Sequence, residues 1–159
     1  MSATRQVFAL ALFVLSCLAA GWAGSLVTRP AIGAWYVDLS KPRWTPPSWV
    51  FAPVWTALYL SMAVAAWLVW RRAGFSGARI ALSLFTFQLV LNLLWSSIFF
   101  GLRRPGVAFI EISLLWIFVV ATALAFWPVS RTAFGLMVPY LLWVTFAAAL
   151  NAAIWRLNT

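Results

Sequence analysis

The sequence predicts an all-α membrane protein: a bundle of five membrane-spanning helices with an ordered interfacial loop between the first two. Two observations about composition and one about punctuation carry this. Hydrophobic residues make up 65% of the chain and charged residues only 8%, with a mean hydropathy of +0.99; a soluble domain carries about 25% charged residues. Five apolar runs, roughly 7–27, 50–70, 80–100, 106–127 and 134–155, each reach the ~20 residues a helix needs to cross a bilayer. The breaks between them hold prolines, glycines and cations: Thr28-Arg29-Pro30, Arg71-Arg72 with Gly74 and Gly77, Arg103-Arg104-Pro105, and the stretch from Pro128 to Arg131. At 159 residues the chain reads as one domain, with a core that faces lipid as well as protein.

The first run has a rival reading. Arg5, an apolar stretch and then Cys17 among small residues resemble a signal peptide, even a loose lipoprotein box around residues 14–17. The run continues to Val27, beyond a usual signal core, so a retained helix is expected. Gly21 and Gly24 near its end suit close helix packing. Residues 35–59, WYVDLSKPRWTPPSWVFAPVWTALY, come next. Pro46, Pro47 and their neighbours forbid a continuous helix through the first half, while tryptophan and tyrosine favour the membrane–water boundary. This stretch is expected to cap the bundle and lead into the second helix.

Within the second run, Trp55 and Tyr59 are i, i+4 neighbours with Phe51 one turn earlier. They form one aromatic face, either of the core or of a lipid-facing girdle. In the third, Gln88, Asn92 and Ser96 form a polar stripe with Trp95 beside it. Amides inside a bilayer turn inward, toward an interhelical hydrogen bond or a ligand. Glu111 is the one carboxylate in a span; it is a functional candidate, or a partner for Arg103 or Arg104 at the nearby surface. In the fifth, Pro139 frees the carbonyl of Gly135 and can kink the helix. Ala147, Ala148, Ala149, Ala152 and Ala153 make that helix slim, for packing or to leave room beside Trp143. At a rise of about 1.5 Å per residue, Trp55, Tyr59, Asn92, Trp95, Glu111, Trp143, Ala147 and Asn151 fall within about 6–18 Å of one surface. Such a band is what a ligand cavity in one half of the bundle would produce.

Composition also excludes chemistry. The chain has no histidine, and its only acids are Asp38 and Glu111. Metal sites built from His, Cys and carboxylates are nearly excluded, and no metal or cofactor is expected. A Ser–His–Asp triad is impossible, and a carboxylate pair requires the fold to bring these two acids together. One cysteine allows no internal disulfide. The net charge of +9 comes from cations scattered at segment ends, so membrane headgroups or anionic ligands, not nucleic acid, are the expected partners. Those cations divide five against six between the two sides and choose no orientation.

Residues 35–59 resemble the TspO/MBR family, the translocator proteins also called peripheral-type benzodiazepine receptors. The matching positions are Trp35-Tyr36, Lys41-Pro42, Trp44, Pro46-Pro47, Trp49-Val50-Phe51, Pro53-Val54-Trp55-Thr56 and Leu58-Tyr59. Asn92-Leu93-Leu94-Trp95, Ile98-Phe99-Phe100-Gly101, Pro139 to Trp143, Leu150-Asn151 and Trp155-Arg156 extend the match over nearly the whole chain. The resemblance implies a five-helix bundle, usually a homodimer, that binds porphyrins, sterols and synthetic isoquinoline or benzodiazepine-type ligands beneath the loop between the first two helices. It implies a pocket of Tyr36, Pro46, Trp55, Tyr59, Asn92, Trp95, Trp143 and Ala147, with Val107, Ile110 and Leu114 from the fourth helix. Two departures stand out: Ala152 and Ala153 replace aromatic residues associated with sterols, and Ser96-Ser97 lie where a proline is common.

The expected function is a multi-pass membrane receptor or transporter, in a bacterial cell envelope, that binds a tetrapyrrole or other planar apolar ligand and tunes tetrapyrrole metabolism or a stress response. Two rivals accompany it. One is light-dependent porphyrin degradation, for which the resemblance offers Trp55 and Trp143, although ordinary acid–base groups are lacking. The other is a membrane scaffold with a regulatory ligand.

Overall fold

A computed structural model describes residues 2–159. Helix α1 runs Ala3–Ile32, α2 is a single turn at Trp35–Asp38, α3 runs Phe51–Gly77, α4 Arg79–Ser96, α5 Pro105–Phe126 and α6 Arg131–Leu157. No strand occurs among the described residues. Five helical segments, Ala3–Ile32, Ser48–Gly77, Arg79–Gly101, Pro105–Phe126 and Arg131–Leu157, are long and apolar enough to cross a membrane. They coincide with the five runs read from sequence and extend past most of their ends.

The ends follow local chemistry. Ser2 caps α1 by accepting from the Arg5 amide, and Ser130 caps α6 by accepting from the Ala133 amide at 3.1 Å, each satisfying a donor the helix cannot. Pro105 opens α5 in its first turn, where its missing N–H costs nothing. Gly74 interrupts α3 at φ 67 and ψ −178, a region open in practice to glycine alone. Pro139 sits inside a continuous α6, and the Ser61 hydroxyl donates to the carbonyl of Leu136 in the turn before it.

Around the bundle the order is α1, α3, α6, α5, α4 and back to α1, with α5 packed between α4 and α6. Small residues bring these helices close: Ala63, Ala65 and Ala66 on α3, Ala108 on α5 and Ala133 on α6 are buried. At Gly106 an added Cβ would come within 2.8 Å of Trp155 Nε1, and at Gly101 within 2.8 Å of Val27. Outward faces are apolar too; Val7, Leu15, Trp22, Ile80, Ile117 and Leu142 are all exposed, as lipid-facing residues should be.

After α4 the helix widens. Ser97–Gly101 is a π-turn, closed by the Leu102 amide donating to the carbonyl of Ser97 at 2.9 Å. The widening sets Phe99 and Phe100 beside Trp95, at centroid distances of 5.6 and 6.1 Å, and both also lie against Tyr36 of α2. Such a turn re-aims side chains within an otherwise regular helix. Ser96 and Ser97 lie at the junction where the α-helix passes into this wider turn.

Candidate functional site

The segment between α1 and α3 is a pinned roof. The ammonium of Lys41 donates to the carbonyls of Tyr36, Val37 and Leu39 at 2.6, 3.1 and 2.9 Å and lies 4.9 Å from the Tyr36 ring centre. It thereby serves the open C-terminal carbonyls of the single-turn α2. Ser40 and Asn158 exchange two hydrogen bonds, at 3.0 and 2.9 Å, and tie the roof to the end of α6. Trp44 meets Phe146 edge-on at 5.8 Å, and Trp35 meets Phe99 at 5.7 Å.

Beneath the roof lies a cavity of about 350 Å³. Its aromatic wall comprises Phe51, Trp55 and Tyr59 of α3, Trp95 of α4, Phe99 and Phe100 of the π-turn, and Tyr36. Helix α6 contributes Ala147, Leu150, Asn151 and Ile154; α1 contributes Leu18, Gly21, Trp22, Gly24, Ser25, Thr28, Arg29 and Ile32. Ser48, Ala52, Thr56 and Ser96 complete the lining. Trp22 and Arg29 on α1 and Ala52 and Thr56 on α3 are exposed, so the cavity opens sideways between these two helices. Its floor is where α1 and α3 touch: a Cβ at Gly21 would stand 2.7 Å from Tyr59 Cε2.

The polar stripe read on the third span divides in two. Gln88 and Asn92 turn inward below the cavity and form a buried chain. Tyr59 donates to Asn92 Oδ1, Asn92 Nδ2 donates to Tyr140 at 3.0 Å, Tyr140 donates to Gln88 Oε1 at 2.9 Å, and Gln88 Nε2 approaches Met62 Sδ at 3.8 Å. This chain fixes the Tyr59 ring in the floor from behind, joining α3, α4 and α6. Ser96, one turn further, lines the cavity. Trp95 Nε1 donates to Asn151 Oδ1 at 3.0 Å, and Asn151 Nδ2 donates to the carbonyl of Pro105 at 2.7 Å; this holds the Trp95 indole against the wall by way of α6 and α5.

Of the eleven expected pocket residues, Tyr36, Trp55, Tyr59, Trp95 and Ala147 border the cavity. Asn92 stands behind Tyr59, and Trp143 stands behind Trp55 with ring centres 6.4 Å apart and planes at 90°. Trp143 also touches Phe51 and Phe146, and its Nε1 is buried without a hydrogen-bond partner. Pro46 belongs to the roof but not to the lining. Val107, Ile110 and Leu114 depart from expectation. They are 46, 71 and 43% exposed on the outside of α5, because that helix turns Ala108, Ile112, Leu115 and Val119 into the bundle. Burial raises the Tyr36 hydroxyl above its ordinary value, which keeps it a neutral phenol through the physiological range. Glu111 is buried, and neither carboxyl oxygen has a hydrogen-bond partner, so the alternative pairing with Arg103 or Arg104 is not the arrangement found.

What sequence reasoning missed is α1. The spacing of Gly21, Ser25 and Thr28, at i, i+4 and i+7, places small and polar residues on one face, and that face is the one the cavity uses.

The sequence profile of the TspO/MBR family matches residues 13–156. The chain is 45% identical to the tryptophan-rich protein TspO of Chlorobaculum tepidum, over 97% of this chain and 98% of that protein. It is 41% identical to the translocator protein of Sus scrofa, over 85% and 83% of the two chains, and 41% identical to the tryptophan-rich sensory protein of Cereibacter sphaeroides, over 92% and 89%. With five helices fit to cross a membrane, the chain is a multi-pass integral membrane protein, and its bacterial relatives favour a bacterial cell envelope.

Proposed function

The chain belongs to the TspO/MBR family, and on that premise we propose that it is a membrane receptor or sensor that takes a planar, largely apolar ligand of the tetrapyrrole class into the cavity beneath its roof. The observation that carries this is the cavity wall: Trp55, Tyr59, Trp95 and three phenylalanines around about 350 Å³, with Ala147 leaving one side shallow. Aromatic faces accept a flat π-system by offset stacking, and the volume falls at the lower end of ordinary ligand pockets. A ring larger than the cavity projects through the opening between α1 and α3. The names borne by relatives, a translocator protein and a sensory protein, support receptor-like behaviour. Sterols and isoquinoline or benzodiazepine-type compounds are competing occupants of the same walls.

Titrating the purified protein with protoporphyrin, in the dark, is expected to quench tryptophan emission saturably without altering the porphyrin. No quenching, with retained binding of a sterol, would reassign the ligand class. A second reading rests on Trp55 and Trp143, edge to face at 6.4 Å next to the cavity: light-driven oxidation of the bound porphyrin by dioxygen. Loss of the Soret band in light, with a new product that requires both indoles, favours that reading. No effect of any ligand leaves the scaffold.

Metal-free protoporphyrin is expected to bind at least as tightly as haem. Iron is held in proteins by His, Cys, Met or Tyr. The chain has no histidine, and Tyr36, the cavity-lining phenol of the roof, is pushed further from ionising by burial. Haem binding more than tenfold tighter, with a ligated-iron spectrum lost in Tyr36→Phe or Tyr59→Phe, contradicts this.

A further inference from the structure

Among the residues lining the cavity, one is charged: Arg29, in the last turn of α1. The chain's other cations on this side do not compete for the role. Lys41 spends its ammonium on three roof carbonyls, and Arg43, Arg103, Arg104 and Arg156 lie outside the lining. Neither acid of the chain, Asp38 or Glu111, lines the cavity. The field at this end is therefore positive, and no carboxylate in the lining opposes it.

Arg29 also has a definite height. It stands eight residues above Gly21, the floor contact with Tyr59, or about 12 Å along the helix. Between them, Ser25 donates to the carbonyl of Trp22 at 2.7 Å and Thr28 to that of Gly24 at 2.9 Å. Their hydroxyl protons are thus committed to the helix, and Arg29 is left as the strong donor of this wall. A guanidinium forms its best bonds with a planar carboxylate, two at a time.

Building on the tetrapyrrole reading of this cavity, we propose that Arg29 binds the carboxylate of an amphipathic anion whose flat apolar body lies on the aromatic wall, acid edge toward the roof and apolar edge on Tyr59. This selects anionic planar ligands over neutral ones of the same shape. A cation in the last turn of a helix also complements the helix dipole and lipid headgroups, but those effects do not depend on whether the ligand carries an acid. The comparison of acid with ester separates them.

The probes are protoporphyrin and its dimethyl ester, titrated against the full chain in detergent by tryptophan quenching. Arg29→Gln is expected to weaken the free acid about tenfold and to leave the ester within twofold; Arg43→Gln, outside the lining, leaves both unchanged. Thermal unfolding of each variant checks that the bundle is intact. An equal loss for acid and ester, or no loss for either while wild type binds both, overturns the role of Arg29 and leaves the cavity reading standing. Wild type that binds neither form overturns the tetrapyrrole reading and this inference with it. Free acid weakened equally by Arg43→Gln assigns the effect to general surface charge and also overturns the proposal.

Discussion

Ala147→Leu is expected to weaken planar-ligand binding by tenfold or more, about 1.4 kcal/mol, while leaving the fold intact. Ala147 is 7% exposed and lies in the cavity lining on the inner face of α6. Its methyl group leaves the slot opposite Trp55 and Tyr59 open. Three further carbons enter that slot, where a ligand would stack. In a filled core the same change would cost about 1–3 kcal/mol through overpacking; here the side chain grows into empty space. Affinity and stability should therefore separate: the dissociation constant rises, and the thermal midpoint stays near that of wild type. Equal falls in both would mean that the position is packing alone. Unchanged affinity in a folded variant would place the ligand elsewhere.

Asn92→Leu is expected to destabilise the bundle by about 1–3 kcal/mol. Asn92 is buried and bridges two tyrosines, accepting from Tyr59 and donating to Tyr140. Leucine keeps the approximate shape and removes both bonds. A buried hydroxyl left without a partner costs about 1–3 kcal/mol, and interhelical hydrogen bonds within membranes average about 0.6 and reach about 1.7 kcal/mol. Tyr59→Phe removes only one of the two bonds and should cost less. The pair offers an internal check. With Tyr59 already phenylalanine, Asn92→Leu leaves one fewer orphan, so the double variant should lose less stability than the two single losses added together. Strict additivity, by thermal or denaturant unfolding in one detergent, would show that the chain Tyr59–Asn92–Tyr140 is not a coupled unit. Ligand affinity should also fall in Asn92→Leu, because the Tyr59 ring in the floor loses its fixed position.

Gly21 explains why floor and wall are linked. With no Cβ, α1 lies directly against the Tyr59 ring, and Tyr59 in turn is held by Asn92. A contact between α1 and α3 and a polar chain through α3, α4 and α6 thus meet at one ring. Ligand binding at this site is expected to depend on both.

Primary structure alone set the five spans, because bilayer thickness fixes a length that an apolar run either reaches or does not, and because Pro, Gly and Arg mark the ends. It determined that residues 35–50 are not one helix, since Pro46 and Pro47 forbid it. It determined that Gln88 and Asn92 turn inward, since an amide facing lipid goes unsatisfied, and it aligned Trp55 with Tyr59 through the helical period. Tertiary structure alone decided which apolar faces meet protein and which meet lipid. Val107, Ile110 and Leu114 are as apolar as Ala108, Ile112 and Leu115, yet the first three face outward and the others inward. In water, burial sorts such residues by polarity; in a bilayer both surroundings are hydrocarbon, and only size and fit between neighbouring helices distinguish them. The same holds for charge: eleven cations are visible in the sequence, but only the folded roof commits Lys41 to backbone carbonyls and leaves Arg29 at the cavity's edge. That choice depends on where helix ends come together, a long-range geometry that no local pattern of residues encodes.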